Sequence, residues 1–342
     1  MFEPLREVRW GILGCGDVCE VKGGPNALGQ PGSRVVHVMR RDADAAADFA
    51  RRHNVRRSSG DVEAVLADPE VNAVYVATPP GAHAELAVKV ADAGRPCLVE
   101  KPMARTADEC RRMCEAFEAA GLPLFVAYYR RRLPRWLKVK ALIDDGALGT
   151  LTHFDYRLTR PHWPDPPAQW RLDPARSGGG LVFDVGSHLI DLLHFLAPHG
   201  DVTDPRAAAR NHSTSGVEDT LSISFAAGSA TGTATWNFAG CVKEDVLTIT
   251  GTAGRVTISC LGNEPFTFES AGGGGGVKTF DLPSPPDVQT PLATTIIHDL
   301  RTGERTCPST GRTAMKTSEF LDLTAASLRD AGNASDGGAL TG

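Results

Sequence analysis

Three stretches of this sequence carry residue types at spacings that could do chemistry. The first is Gly11-Ile-Leu-Gly14-Cys-Gly16-Asp17-Val18-Cys19, which follows a short apolar run. Gly14 and Gly16 permit a tight turn and a close backbone approach to a pyrophosphate. Asp17 and Val18 open the next helix, whose first amides have no partner inside it and can bind phosphate. Cys19 stands where a third small residue lets helix and strand pack. The second stretch is Glu100-Lys101-Pro102, at the end of another apolar run. Lysine is scarce, eight of 36 Lys plus Arg, and the carboxyl end of a strand is where open α/β sheets bind ligands. A loop lysine is ordinarily solvated, so Lys101 alone carries little weight. The third is Gly178-Gly-Gly-Leu-Val-Phe-Asp184-Val-Gly-Ser-His188-Leu-Ile-Asp191.

At helical spacing Asp184, His188 and Asp191 form one stripe on a helix that is otherwise apolar. Burying three ionisable groups costs several kcal/mol unless they are paired or used. An acid/base pair, a hydrogen-bonded core Asp–His pair and a metal site all fit this pattern. No further ligand cluster supports the metal, so none is expected.

The residues after the second apolar run bear on cofactor type. A site for plain NAD places Asp or Glu about 20 residues past the glycine turn, bonded to the ribose 2′-OH. That place holds Arg40, followed by Arg41. A guanidinium attracts a 2′-phosphate and can bond it with two N–H groups. NADP is therefore expected, with NAD possible, since Asp42 follows at once and two arginines at a strand end can also be plain solvated charges.

These groups need a frame. Over the first 127 residues, apolar runs at Val8–Leu13, Ser33–Arg40, Ala73–Ala77, Pro96–Val99 and Leu124–Ala127 alternate with helical patterns at Ala43–His53, Asp61–Ala67, His83–Ala93 and Thr106–Ala120. Continuous apolar runs suit parallel strands buried on both faces. The alternation predicts an α/β doubly wound parallel sheet with ligand at its carboxyl ends. Thr106-Ala-Asp-Glu109 is a capping box. After residue 128 the pattern changes. Helices are expected at Leu133–Asp145, Leu181–Leu196, Leu292–Leu300 and Thr313–Arg329. Strands are expected at Leu151–Arg160, Thr220–Ala226, Ser229–Phe238, Val246–Thr250, Arg255–Cys260, Pro265–Glu269 and Lys278–Leu282. This predicts an α+β domain, 128–342, with a large, mostly antiparallel open sheet.

The bulk composition excludes several classes. With 342 residues about two domains are expected. A net charge of −5 provides no basic field for nucleic acid. The eight cysteines include no Cys-x-x-Cys pair and several lie in apolar runs, as reduced core thiols do. Met1–Trp10 is charged and lacks an apolar centre, and no apolar run approaches the roughly 20 residues that span a bilayer. A cytoplasmic protein without membrane association is the expectation.

Taken in order, the glycine turn, Ala77-Thr78-Pro79-Pro80 with His83, Glu100-Lys101-Pro102, and the glycine run with Asp184, His188 and Asp191 resemble the Gfo/Idh/MocA oxidoreductase family from Val8 to about Asp330. The surroundings of Val38-Met39 and Val126–Arg130 are similar to the branch that includes 1,5-anhydrofructose reductase and glucose–fructose oxidoreductase. Cys19 and Arg40 depart from the commonest pattern.

The resemblance implies an N-terminal Rossmann domain, 1–127, and a substrate-binding and oligomerisation domain after it. It implies hydride transfer between nicotinamide and a hydroxyl or carbonyl carbon of a small carbohydrate or polyol. Lys101, fixed by a cis peptide to Pro102, would steady the reacting oxygen, and His188 would exchange its proton. Asp184 would bond substrate hydroxyls or orient the imidazole, and Asp191 would brace the helix or the histidine from its other side. Thr78, Pro79, His83 and Glu100 would line the cofactor. Tyr129, Arg130, Trp170 and Arg171 are weaker substrate-binding candidates, beside His162 and Trp163 in the same loop as Trp170. Arg130–Arg132 has a second reading as a solvated basic face. A homodimer or homotetramer through the second sheet is implied. Two other readings are a catalytically silent dinucleotide-binding regulator, disfavoured by intact Lys101, Asp184 and His188, and a glycoside-cleaving member that oxidises its substrate transiently.

Overall fold

The computed structural model describes residues 2–161, 169–197, 201–212, 217–271 and 276–336, with the side chains of Gln169, Trp170 and 331–336 outside that description. The chain forms two compact units. One comprises Met1–Leu133 with Ser284–Met315, the other Pro134–Pro283 with Lys316–Gly342. The expected boundary at 127/128 thus differs in two ways. It falls after Leu133, and a later segment returns to the first unit. That return is anchored by polar bonds: Gln289 donates to buried Glu100 at 2.7 Å, and the Ser309 hydroxyl donates to the Val126 carbonyl at 2.7 Å.

The first unit contains six parallel strands: β1 (Val8–Leu13), β2 (Ser33–Met39), β3 (Arg57–Ser59), β4 (Ala73–Val76), β5 (Cys97–Val99) and β6 (Leu124–Val126). Their order is β3-β2-β1-β4-β5-β6, the doubly wound arrangement expected, with its switch point between β1 and β4. Strands β4, β5 and β6 are buried throughout, which explains their unbroken apolar character. Strand β3 escaped the pattern because Arg57-Ser58-Ser59 is polar and pairs only at the sheet edge. Helices fall close to the expected spans. Thr106 accepts from the Glu109 amide at 3.2 Å, and the Glu109 carboxylate accepts from the Arg105 amide at 3.0 Å. The capping side chains are those expected, but the return bond goes to the residue before the cap.

The helix after the glycine turn departs from a regular α-helix. Cys19–Gly23 forms a π-helical turn, and a new short helix starts at Pro25. A side-chain carbon on Gly24 would lie 2.0 Å from the Cys19 carbonyl oxygen, so the chain can fold back this tightly only with glycine there.

A buried ion cluster ties β2 and β3 to the loop before β4. His37 Nδ1 lies 2.9 Å from an Asp68 oxygen and Arg57 donates to the same carboxylate at 2.6 Å. Burial raises the Asp68 pKa, but the Glu70 amide, Arg57 and His37 outweigh it and hold the carboxyl below its ordinary value. The folded pKa is therefore the lower one. The stability this cluster contributes is present above the unfolded value of about 3.9 and is lost as pH falls below it. Thermal melts from pH 6 to pH 3 are expected to separate wild type from Asp68→Asn at the upper end and to narrow that gap toward the lower. A constant gap across that range would remove the carboxylate from this account.

The second unit is built on eight strands: β7 (Leu151–Pro161), β8 (Val202–Arg210), β9 (Thr220–Ala227), β10 (Ala230–Gly240), β11 (Glu244–Gly251), β12 (Gly254–Ile258), β13 (Phe266–Ser270) and β14 (Val277–Phe280). The order is β14-β13-β12-β11-β7-β10-β9-β8. All pairs are antiparallel except β7 with β10. Strand β8 was not anticipated. It is an edge strand with mostly polar or small residues, a proline at 205 and a left-handed Asp204 (φ 56°), features that edges tolerate.

Helix Leu181–Leu196 packs on this sheet. A side-chain carbon on Gly186 would lie 3.2 Å from the Trp236 ring, so glycine is what lets the helix sit this close to β10. The segment Pro174–Leu196 is long and apolar enough to cross a membrane by length and composition, but 67% of its most apolar window is buried within the fold. Its apolarity is that of a core helix.

Candidate active site

In the first unit the glycine turn sits between the ends of two neighbouring strands. The amides of Gly14 and Cys15 donate to the Met39 carbonyl at 2.8 and 3.0 Å, tying β1 to the end of β2. On the other side the Ala77 amide donates to Leu13 at 2.8 Å. Gly14 has φ +96°, and a side-chain carbon there would lie 2.7 Å from Thr78 Cγ2 and 2.9 Å from the Thr78 amide nitrogen. Gly16 differs: the nearest atom to a carbon built there is the Gly14 oxygen at 4.0 Å. Packing thus demands glycine at 14, whereas at 16 the protein leaves open space, the feature expected where a ligand comes against the backbone. Gly14→Ala is expected to lower the melting temperature and to weaken dinucleotide binding at least tenfold. The left-handed conformation costs an L-residue roughly 1–2 kcal/mol before the collision with Thr78 is added. Unchanged binding by fluorescence titration would refute that.

Thr78 is half-buried, and its Oγ1 is inaccessible to water and has no hydrogen-bond partner among the described residues. Such an atom is uncommon. Pro79 follows in extended conformation. At the end of β2, Arg40 and Arg41 are exposed, and among the described residues neither guanidinium pairs with a carboxylate. Asp42 caps helix Ala43–Arg52, one carboxylate oxygen accepting from the Ala45 amide at 3.0 Å.

Cys19 is buried, and its thiol reaches the Gly14 carbonyl at 3.8 Å. Burial pushes its pKa well up, and Cys15 nearby is raised to about 11 for the same reason. Both remain thiols. All eight cysteines are free and all but Cys241 are buried.

His83 was placed along the cofactor's edge from the sequence. The structure makes it a brace instead. It is fully buried, with Nε2 2.6 Å from the Thr78 carbonyl and Nδ1 3.1 and 3.2 Å from those of Pro102 and Met103. Burial lowers its pKa, although the carbonyls and Glu100 oppose this. Its ring joins the loop after β4 to the loop after β5, and the latter carries Lys101. The Lys101–Pro102 peptide is cis, as the resemblance implied, and the Lys101 side chain is half-buried.

Glu100 was likewise expected against the cofactor, yet its carboxylate points into the protein. Oε1 accepts from Tyr75 at 2.7 Å and from Gln289 at 2.7 Å, and Oε2 accepts from the Lys101 amide at 3.1 Å. Tyr75 and Gln289 were not singled out from the sequence. Tyr75 did carry a signal, since a hydroxyl in the otherwise apolar run Ala73–Ala77 needs a buried acceptor. Gln289 carried none. Gly23 completes the group: a side-chain carbon there would lie 2.5 Å from Gln289 and 2.6 Å from the Tyr75 hydroxyl.

Tyr129 and Arg130 are buried in a short 3-10 turn, with the Arg130 guanidinium 5.1 Å from the Tyr129 ring centre. Arg131 is buried too and donates to the Pro308 carbonyl at 2.7 Å. The alternative of a solvated basic face for Arg130–Arg132 therefore fails at its first two residues.

In the second unit the glycine run Gly178–Gly180 leads into the helix bearing Asp184, His188 and Asp191. Gly178 is left-handed (φ +83°). The Gly180 amide donates to Glu218 at 3.3 Å, a carboxyl raised by its burial that sequence inspection passed over. His188 and Asp191 are buried, and Asp184 accepts from Arg171 Nε at 3.1 Å. Two residues assigned separately to substrate thus form an ion pair. The side chain of Trp170, with His162 and Trp163, lies outside the described residues. Among the described residues no group of three or more His, Cys, Asp or Glu side chains could hold a metal ion.

Comparison with known proteins agrees with this arrangement. A model of an oxidoreductase family with an NAD-binding Rossmann fold matches residues 8–128, and a model of the Gfo/Idh/MocA C-terminal domain matches residues 136–257. Oxidoreductase P35 of Formosa agariphila is 31% identical over 290 residues, 83% of this chain and 88% of that protein. The 1,5-anhydro-D-fructose reductase of Ensifer adhaerens is 32% identical over 219 residues, 62% of this chain and 63% of that protein, so this match spans under two thirds of the relative. Levoglucosan dehydrogenase, solved with NADH and levoglucosan, superposes with a TM-score of 0.84 at 21% identity, covering 95% of this chain and 98% of that one, a likeness of fold. With both family models matched in order, the chain belongs to the Gfo/Idh/MocA family of oxidoreductases.

Proposed function

We propose that this oxidoreductase uses NADP(H) to transfer hydride between the nicotinamide and a hydroxyl- or carbonyl-bearing carbon of a small carbohydrate or polyol. The observation that carries the reading is the linked set of loops at the carboxyl ends of the first sheet. Gly14 touches Met39 and Thr78, Thr78 is joined through His83 to Pro102, and Lys101 precedes that proline. Phosphate meets the open backbone at Gly16, Thr78 lines the same edge, and Arg40 and Arg41 receive the 2′-phosphate. When bound, the nicotinamide supplies or accepts the hydride.

The chain's own residues do the rest. The Lys101 ammonium donates to the reacting oxygen as charge develops on it. His188 exchanges the proton of that oxygen, as an imidazole can in either direction. Asp184, held by Arg171, receives substrate hydroxyls. A carbohydrate is supported by the names of similar proteins, among them the anhydrofructose reductase and the levoglucosan complex. A homodimer or homotetramer through the β7–β14 sheet and a cytoplasmic location with reduced cysteines belong to the same reading.

The test begins with mass spectrometry of the nucleotide released from freshly purified protein. A panel of aldoses, ketoses, anhydrosugars and polyols is then followed at the NADPH absorbance. Release of NAD alone, with no turnover of NADPH by any sugar, would sink the proposal.

A further inference from the structure

We propose that Tyr75 and Gln289 are positioning residues for Lys101, acting through the buried carboxylate of Glu100. The inference rests on the reading of Lys101 as the group that serves the reacting oxygen. Glu100 is nearly inaccessible to solvent, and a buried carboxylate is tolerated only when its oxygens are bonded. One oxygen takes the Tyr75 hydroxyl and the Gln289 amide, both at 2.7 Å, and the other takes the Lys101 backbone amide at 3.1 Å. The two donors fix the plane of the carboxylate, and the carboxylate fixes the peptide from which the lysine side chain springs. Burial and the Glu100 charge raise the Tyr75 pKa far above its usual value, so the phenol stays a donor. Both donors come from outside the loop they hold. Tyr75 lies in β4, and Gln289 lies 189 residues along the chain from Glu100. Gly23, at the end of the π-helical turn, leaves room for both. The same three-residue contact therefore joins the segment following the glycine turn to the lysine loop.

Two variants test this. Gln289→Met keeps the side-chain volume and removes the donor. Tyr75→Phe removes one hydroxyl. In each, kcat is expected to fall about tenfold or more while substrate KM and cofactor affinity stay within a few-fold, since a small displacement of a catalytic group acts mainly on the chemical step. A second readout needs neither cofactor nor substrate. The unliganded protein is treated with limiting acetic anhydride, and acetylation of each lysine is followed by peptide mass spectrometry. Lys101 is expected to label severalfold faster in both variants than in wild type, with Lys89 and Lys278 unchanged as internal references. Circular dichroism and melting temperature establish that each variant is folded, and Tyr75→Phe stands alone if Gln289→Met is not. Unchanged Lys101 labelling in a folded variant overturns the proposal. Altered labelling in a protein that reduces no sugar keeps the positioning role and removes the functional reading, so the two failures are distinct.

Discussion

Lys101→Met is expected to lower kcat by roughly a hundred- to ten-thousand-fold, the range seen when a charge-stabilising or proton-transferring group is removed. Cofactor affinity, measured by fluorescence titration, is expected to stay within a few-fold. The reason is geometric: phosphate recognition is proposed for Gly16 and the strand-end arginines, and Lys101 emerges from a separate loop after β5. His188→Asn is expected to lose a similar amount. If both groups serve one step, the double variant loses far less than the product of the single losses, because residues that act as a unit are non-additive. Fully multiplicative losses would mean that the ammonium and the imidazole act in different steps. Normal turnover by Lys101→Met would end the assignment of this lysine.

Arg40→Asp is expected to reverse cofactor choice. A charge-assisted bond to phosphate contributes about 1.5–3 kcal/mol, so losing it and placing a carboxylate there should cut kcat/KM for NADPH by roughly a hundredfold or more. Use of NADH should rise, since the new carboxylate can accept from a ribose 2′-OH. Arg41→Asp is the paired control. Equal loss in both variants would mean shared recognition. No loss in either would leave the phosphate without a receptor and favour plain NAD. Raising ionic strength should weaken NADPH binding to wild type more than to Arg40→Asp.

Much of the frame was legible before folding was considered, and the reason is local. Apolar runs and capping residues are contiguous, so Val8–Leu13, Leu181–Leu196 and the Thr106 cap could be read directly. The polar strand Arg57–Ser59 and the edge strand Val202–Arg210 were not, because an edge needs no apolar pattern to hold it. The motif residues could be found, but their orientations could not. His83 and Glu100 were expected to line the cofactor, yet His83 is buried between two loops and Glu100 faces inward.

By itself the sequence determined which segments become strands and helices, where the backbone must turn tightly, and which few side chains can carry charge or a proton. Each of these follows from steric and hydrophobic rules that act over a few neighbouring residues. Only the tertiary structure decided that Glu100 is held by Tyr75 and Gln289, that His83 ties two loops together, that Arg171 pairs with Asp184, and that residues 284–315 belong to the first unit. Those facts depend on polar groups far apart in the chain being buried together, where an unsatisfied partner costs more than the bond is worth in water.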